Sequence, residues 1–341
     1  MSFVRLDPQD FLVSADSITG TAWSGNSPTL TSFFTSSTQV SSSTGTYYTQ
    51  VNQSATTAAD SAVQFDILYC DVEGSGSFLY NPIVTGSSPT RTMYGSYRTL
   101  VLEDENSQFV FGAFTSSYFY VLSVERARYK ESLFPGTFNI TLANGTDTLQ
   151  LTDNSGVTGV KQYNGAGRVF QIISGSNGTP YTGTYINTDG YTVASGSYGM
   201  FLPDIGTIIL NGEALDGTLT NGGINMATSR SNNSYGKNMD RMYYAIDNGA
   251  NFSLNSDETI TSDYVFVRAR NNDFNYTENP SFISGSTGEV IYSLFIDSPT
   301  TYITTVGLYN DANELLAVSK LSRPLAKDFT KELLMRVKLD F

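Results

Sequence analysis

Histidine is absent from this 341-residue chain, and cysteine occurs once, as Cys70. Without an imidazole the chain cannot assemble a Ser-His-Asp or Cys-His arrangement, nor a histidine-containing zinc site. One cysteine excludes an intramolecular disulfide and a cysteine-clustered metal site. Cys70 lies in the apolar run AVQFDILYCD, which predicts a small buried core residue. Glycoside hydrolysis survives, because it needs two carboxylates flanking a sugar bond. Glu103, Asp104, Glu105, Asp204 and Asp216 are available for it. The sequence sets no two of them at a required separation, and in an acidic chain most carboxylates are solvated surface groups.

Other motifs are weaker. YINTDG carries Asn187, Asp189 and Gly190 but lacks the leading Asp and later Glu of an EF-hand loop. GSGS at 74–77 and NGAG at 164–167 lack the Lys-Ser/Thr of a phosphate loop and read as turns. The expectation is therefore no catalytic residue, no cofactor and no metal. Arg126-Ala127-Arg128 and Arg268-Ala269-Arg270 each follow an aromatic-rich strand; ion pairing with the chain's 32 carboxylates is the expected role, a binding row for acidic groups the alternative. A formal net charge of −13 argues against a nucleic-acid partner. No apolar run reaches spanning length, and MSFVRLDPQDF lacks a basic region followed by an apolar stretch, so neither membrane insertion nor conventional secretion is expected.

The elements that would position these residues are mainly β. Residues 1–60 form a Ser/Thr-rich N-terminal segment with isolated aromatics, Trp23, Phe33, Phe34, Tyr47 and Tyr48. Such a segment has too little apolar surface for a core of its own, so it is expected to be an extended arm whose aromatics anchor it on a neighbouring subunit. Residues 61–150 read as a β domain, 151–255 as a Gly/Asn-rich β insertion, and 256–341 as a C-terminal β domain. Few short helices are expected: a turn at ERARYKESLF and a helix around Lys237–Ala245. RTLVLEDENSQFVFG reads as two strands, and VIYSLFID as one. TFNITLANGTDTLQLTD is a hairpin tipped by Asn144-Gly145, and TTVGLYNDANELLAVSKLSRP a hairpin turning at Asn310–Asn313. The fold class is thus antiparallel sheets, with sandwich-like domains and an extended arm.

The last residues alternate with period two. Leu333, Met335, Val337, Leu339 and Phe341 fall on one face, Glu332, Arg336, Lys338 and Asp340 on the other, so the terminus is expected in a sheet begun by the hairpin. Six basic residues against three acidic ones between Lys320 and Asp340 make the segment locally basic. Lys327, Arg336 and Lys338 are candidates for docking an acidic neighbour; the other reading is an edge strand whose lysines discourage pairing.

The hairpin VGLYNDANELLAVSKLSRPLAKDFTKELLMRVKLDF and the earlier YGMFLPDIGTIILNG resemble virion structural proteins of T4-like contractile-tailed phages of marine and cyanobacterial hosts. The resemblance is strongest over about 60–140 and 195–341. It implies a non-enzymatic tail, baseplate or fibre-attachment component, assembled in the host cytoplasm, localised to the virion, and partnered by other virion proteins in a homo-oligomer or symmetric assembly. Two alternatives stand beside it: a host-glycan-binding adhesin using exposed tyrosines, and a tail-associated polysaccharide depolymerase using paired carboxylates.

Overall fold

The computed structural model describes residues 4–37, 46–76, 88–111, 114–157, 162–181, 198–219, 222–230, 236–276 and 279–340. The protein is mainly β, with 45% strand and 16% helix, and its sheets are antiparallel. Ile18–Glu258 forms one compact unit; Met1–Ser17 together with Thr259–Phe341 forms the other.

The larger unit is built on a curled sheet. Across it run Thr29–Leu30, Asn251–Ser253, Asn139–Asn144, Asp147–Asp153, Gly167–Ser176, Gly199–Leu202, Thr207–Asn211, Tyr118–Val124, Val63–Asp71, Thr49–Asn52 and Phe34–Ser36. Successive side chains point to opposite faces, and here both faces are covered. Phe65, Ile67 and Tyr69 enter one core, while Leu68 and Cys70 enter the other. Tyr120 and Leu122 divide from Phe119 and Val121 in the same way. Two-sided burial explains why AVQFDILYCD is almost continuously apolar rather than alternating. Cys70 is fully buried, as expected.

Two helices cover the sheet. Lys237–Gly249, expected from the sequence, buries Met239, Met242, Ala245 and Ile246 in the first core. Pro89–Leu102 buries Tyr94 and Val101, one face of a helix seven residues apart, in the second. This helix corrects the strand expected at RTLVL. Its start is encoded by Ser88, whose side chain accepts a hydrogen bond from the Arg91 N–H, and by Pro89 in the first turn. It ends at Glu103, in the left-handed region with φ 56°.

The expected domain layout is corrected at two boundaries. Residues 151–255 are no insertion: Gly167–Ser176, Gly199–Leu202 and Thr207–Asn211 lie between Asp147–Asp153 and Tyr118–Val124 in one sheet. Hydrogen-bond pairing that skips across the sequence produces this order, and local composition does not reveal it. Nor do Trp23 and Phe33 anchor the N-terminal segment on a neighbour, since they belong, with Ala22, Leu30 and Val51, to the first core. Both expected hairpins are present. Asn144 pairs with Asp147, leaving Gly145 at φ 63° and Thr146 in the tight turn.

The smaller unit is simpler. From Ser262 to Ala269 the strand Asn255–Ala269 pairs antiparallel with Leu333–Asp340. Met335 and Val337 are buried between exposed Arg336 and Lys338, so the period-two alternation holds; Phe341 lies outside the described residues. Contrary to expectation, the terminal strand does not extend the hairpin's sheet: Thr301–Tyr309 and Leu315–Lys327 pair only with each other among the described residues. Its apolar face instead packs with Val306 and Val265 in a shared small core. VIYSLFID is corrected too: Ser293–Asp297 is a short helix.

Trp23 tests how firmly the N-terminal segment belongs to the larger unit. Its Nε1 donates to the Phe252 carbonyl at 3.0 Å, and its ring lies 4.9 Å from Phe252. Trp23→Ala is expected to destabilise this unit by about 3–5 kcal/mol in urea or thermal unfolding. A loss below about 1 kcal/mol would show that the segment is dispensable to the core.

Candidate assembly surface

The residues expected to make intersubunit contacts divide by environment. Trp23 and Phe33 are interior, and Tyr243 Oη donates to the Phe33 carbonyl at 3.0 Å, so neither ring is available to a neighbour. Phe34 is 41% exposed on the edge strand Phe34–Ser36. Tyr47 and Tyr48 are half-buried, Tyr48 against the second core.

Lys327 is the sharpest correction. Its residue exposure is 0%, and its Nζ donates to the Asn271 carbonyl (3.0 Å), Asn275 Oδ1 (3.0 Å) and the Asp328 carbonyl (2.9 Å). Three neutral oxygens replace the water an ammonium loses on burial, with no ion pair needed. This lysine is an internal tie. Arg336 and Lys338 are exposed as expected, yet both sit over the Tyr264 ring, at 5.3 and 5.9 Å. Lys338 also pairs with Asp340 at 2.8 Å, and that hydrogen bond holds its pKa above the usual lysine value. Lys331 pairs with Asp328. Lys320 and Arg323 are exposed and form no ion pair among the described residues.

The carboxylates considered for hydrolysis make separate structural contacts. Asp204 is clasped by Arg168 at 2.6 Å. Asp216 accepts from Tyr118 Oη at 2.8 Å and from Thr228 Oγ1 at 2.7 Å. Asp104 accepts from Ser107 Oγ and the Asn106 N–H at the end of the first helix, and the Ser107 bond lowers its pKa. Glu103 and Glu105 flank it there. Of the paired arginines, Arg126-Ala127-Arg128 forms a 3₁₀ turn within ERARYKESLF, where a turn was expected, and Arg126 stacks on Tyr129 at 4.7 Å. Arg268 lies 3.5 Å from Glu332. Positions 187, 189 and 190 of YINTDG lie outside the described residues.

Two acidic positions went unnoticed in the sequence. Asp71 is buried, accepts from the Glu73 and Ser75 N–H groups, and pairs with Arg230 Nε at 2.8 Å. Burial nevertheless outweighs these partners and raises its pKa. Asp66 sits in a cross-strand row of Gln50, Asp66, Ser123 and Thr207. Burial, followed by the charge of Glu125, pushes its carboxyl up to about 6 against a smaller pull from Gln50. The visible signal was two aspartates interrupting the apolar run AVQFDILYCD.

Exposed apolar side chains are concentrated in the smaller unit. It holds eighteen of the twenty-six large apolar residues left exposed among the described residues. They include Leu12, Val13, Leu294, Ile296, Tyr302, Leu316, Val318 and Leu334, each more than half exposed. On the hairpin Ile303, Val306, Leu308, Leu321 and Leu325 pack into the small core, while Tyr302, Tyr309, Leu315, Leu316 and Val318 are exposed. No family model, curated protein or solved structure matches this chain.

Two outcomes follow from the buried polar groups. Asp66 binds its proton more tightly folded than unfolded, where the ordinary pKa is about 3.9. Its contribution is therefore fully present below pH 4 and lost as pH rises through about 6. Asp66→Asn is expected to add about 1–2 kcal/mol of stability above pH 6, discounted for partial exposure, and to remove that part of the profile in melts between pH 4 and 7. An unchanged profile would place the group in water. Lys327→Ala is expected to cost about 3 kcal/mol, because three oxygens lose a charged donor; chemical denaturation monitored by Tyr264 and neighbouring tyrosine fluorescence measures it, and a neutral result would contradict the internal tie.

Proposed function

We propose that this chain is a non-enzymatic structural subunit of a phage virion, of the tail or baseplate type, that acts through protein–protein assembly. The observation carrying the reading is the apolar surface of the smaller unit. Monomeric soluble proteins rarely expose contiguous apolar patches beyond a few hundred Å², and here Leu316 (68% exposed) and Val318 (61%) lie side by side on a strand with an open edge. Burial of such residues in an assembly would remove them from water, at about 25 cal/mol per Å². The resemblance of the C-terminal segment and of YGMFLPDIGTIILNG to tail-type virion proteins supports the same reading. So does the chemistry of the carboxylates considered for hydrolysis, three of which are engaged in separate structural contacts.

In this reading the larger unit is a scaffold stabilised by its own two cores, and the smaller unit presents the surface that copies of the chain and other virion proteins cover. The net charge of −13 keeps free subunits apart and soluble until apolar contacts overcome it. Added salt, which screens that repulsion, should therefore promote association. Sedimentation velocity over a wide concentration range, at low and moderate salt, tests this. Concentration-dependent oligomers, larger in salt, are expected; a monomer under every condition would contradict the reading.

A further inference from the structure

One arginine of the turn Arg126-Ala127-Arg128 has no partner. Arg126 donates to the Tyr129 carbonyl at 2.7 Å and lies over the Tyr129 ring. Arg128 forms no hydrogen bond or ion pair among the described residues, and its Nε is buried without an acceptor. A guanidinium carries five N–H donors and a permanent charge, so an unpaired one runs against its usual fate in a chain with 32 carboxylates. The acid-binding role considered for this motif therefore comes down to Arg128.

Arg128 lines a cavity of about 430 Å³ formed wholly by residues of the larger unit. Small-molecule sites span roughly 300–1,000 Å³. The segments Ile18–Ser24 and Ala127–Lys130 line it, together with Ser256 and Glu258 of the strand Asn255–Ala269. These parts are tied to one another and to the core. Lys130 N–H donates to Ser256 Oγ at 2.8 Å, Ser256 pairs with Leu133 in the sheet, and Trp23 Nε1 donates to the Phe252 carbonyl. The walls are thus set before a ligand arrives, which lowers the cost of binding one.

The lining also specifies the ligand. Arg128 and Lys130 outnumber the one carboxylate there, Glu258, so the cavity is locally cationic in a chain of net charge −13. None of the three forms an ion pair among the described residues. By charge alone, a carboxylate and a phosphate suit the guanidinium equally. Glu258 separates them, because a phosphate dianion has no proton to give it and is repelled, whereas a sugar hydroxyl donates to it. Thr19, Thr21 and Asn26 add hydroxyl and amide groups that both donate and accept. We propose that this cavity binds a sugar acid, a single pyranose ring whose carboxylate is held by Arg128 and Lys130 and whose hydroxyls are held by Glu258 and its polar neighbours. The site belongs to the larger unit and stands independently of the assembly reading.

Isothermal titration calorimetry of the full chain with D-glucuronate, N-acetylneuraminate, D-glucose and inorganic phosphate tests it. Trp23, the one tryptophan of the chain, lines the cavity, so its fluorescence gives a second readout. At least one sugar acid is expected to bind at least tenfold more tightly than glucose or phosphate. Arg128→Ala is expected to weaken that binding tenfold or more, and Arg128→Lys to fall short of wild type, because an ammonium lacks the planar fork. Both variants should keep the wild-type melt, since Arg128 makes no bond within the chain. Glu258→Gln should raise phosphate affinity by removing the repulsion. A glucuronate-containing octasaccharide that binds more tightly than glucuronate supports the site and identifies a glycan chain as its source; equal binding supports it with the free sugar acid as ligand. Neither heat nor a saturable Trp23 signal with either sugar acid, equal binding by Arg128→Ala, or phosphate binding as tightly as the sugar acids would overturn the proposal.

Discussion

A sheet has two faces and two edges, and each must meet something. That constraint organises the molecule. In the larger unit both faces are covered, one by Lys237–Gly249 and one by Pro89–Leu102, so apolar or aromatic residues fill every position of Tyr118–Val124 except Ser123. In the smaller unit the hairpin and the terminal strand share one small core around Val306, Met335 and Val337. Their remaining surface keeps Leu316, Val318 and Leu334 in water. The difference between a self-sufficient unit and one with apolar surface to spare follows from how many covering elements each stretch of chain supplies.

Polar groups in the interior follow a related rule. Lys327 is buried because Asn271, Asn275 and Asp328 offer three oxygens, and Asp71 because Arg230 and two backbone N–H groups reach it. Asp66 is less completely served: its Oδ1 is buried without a partner. Burial, and after it the charge of Glu125, raises its pKa.

The sequence was most legible where structure is local. The alternation from Leu333 to Leu339, the Asn-Gly hairpin and the helix after Lys237 all follow from nearest-neighbour patterns. Leu100-Val101-Leu102 misled because three apolar residues in a row fit a buried strand as well as a helix end, and the capping Ser88-Pro89 lay eleven residues upstream. Trp23 and Phe33 misled for another reason: their covering residues come from far along the chain, with Phe252 separated from Trp23 by 229 positions. Composition saw isolated aromatics, and folding supplied them with a core. Lys327 was read by its charge, whereas its fate depends on carbonyls more than fifty residues away. Of the interaction candidates, those on short-period strands, Arg336 and Lys338, emerged on the surface.

Central to this account is the proposal that the smaller unit's exposed apolar surface, Leu316 and Val318 included, is covered in an assembly. Amide hydrogen exchange of residues 314–320, followed from dilute to concentrated protein, reads that contact directly. Amides facing the unpaired edge should exchange rapidly when dilute and become protected on concentration, while those already bonded to Thr305–Tyr309 change little. Exchange at these residues that is independent of concentration, in protein that associates, would contradict it.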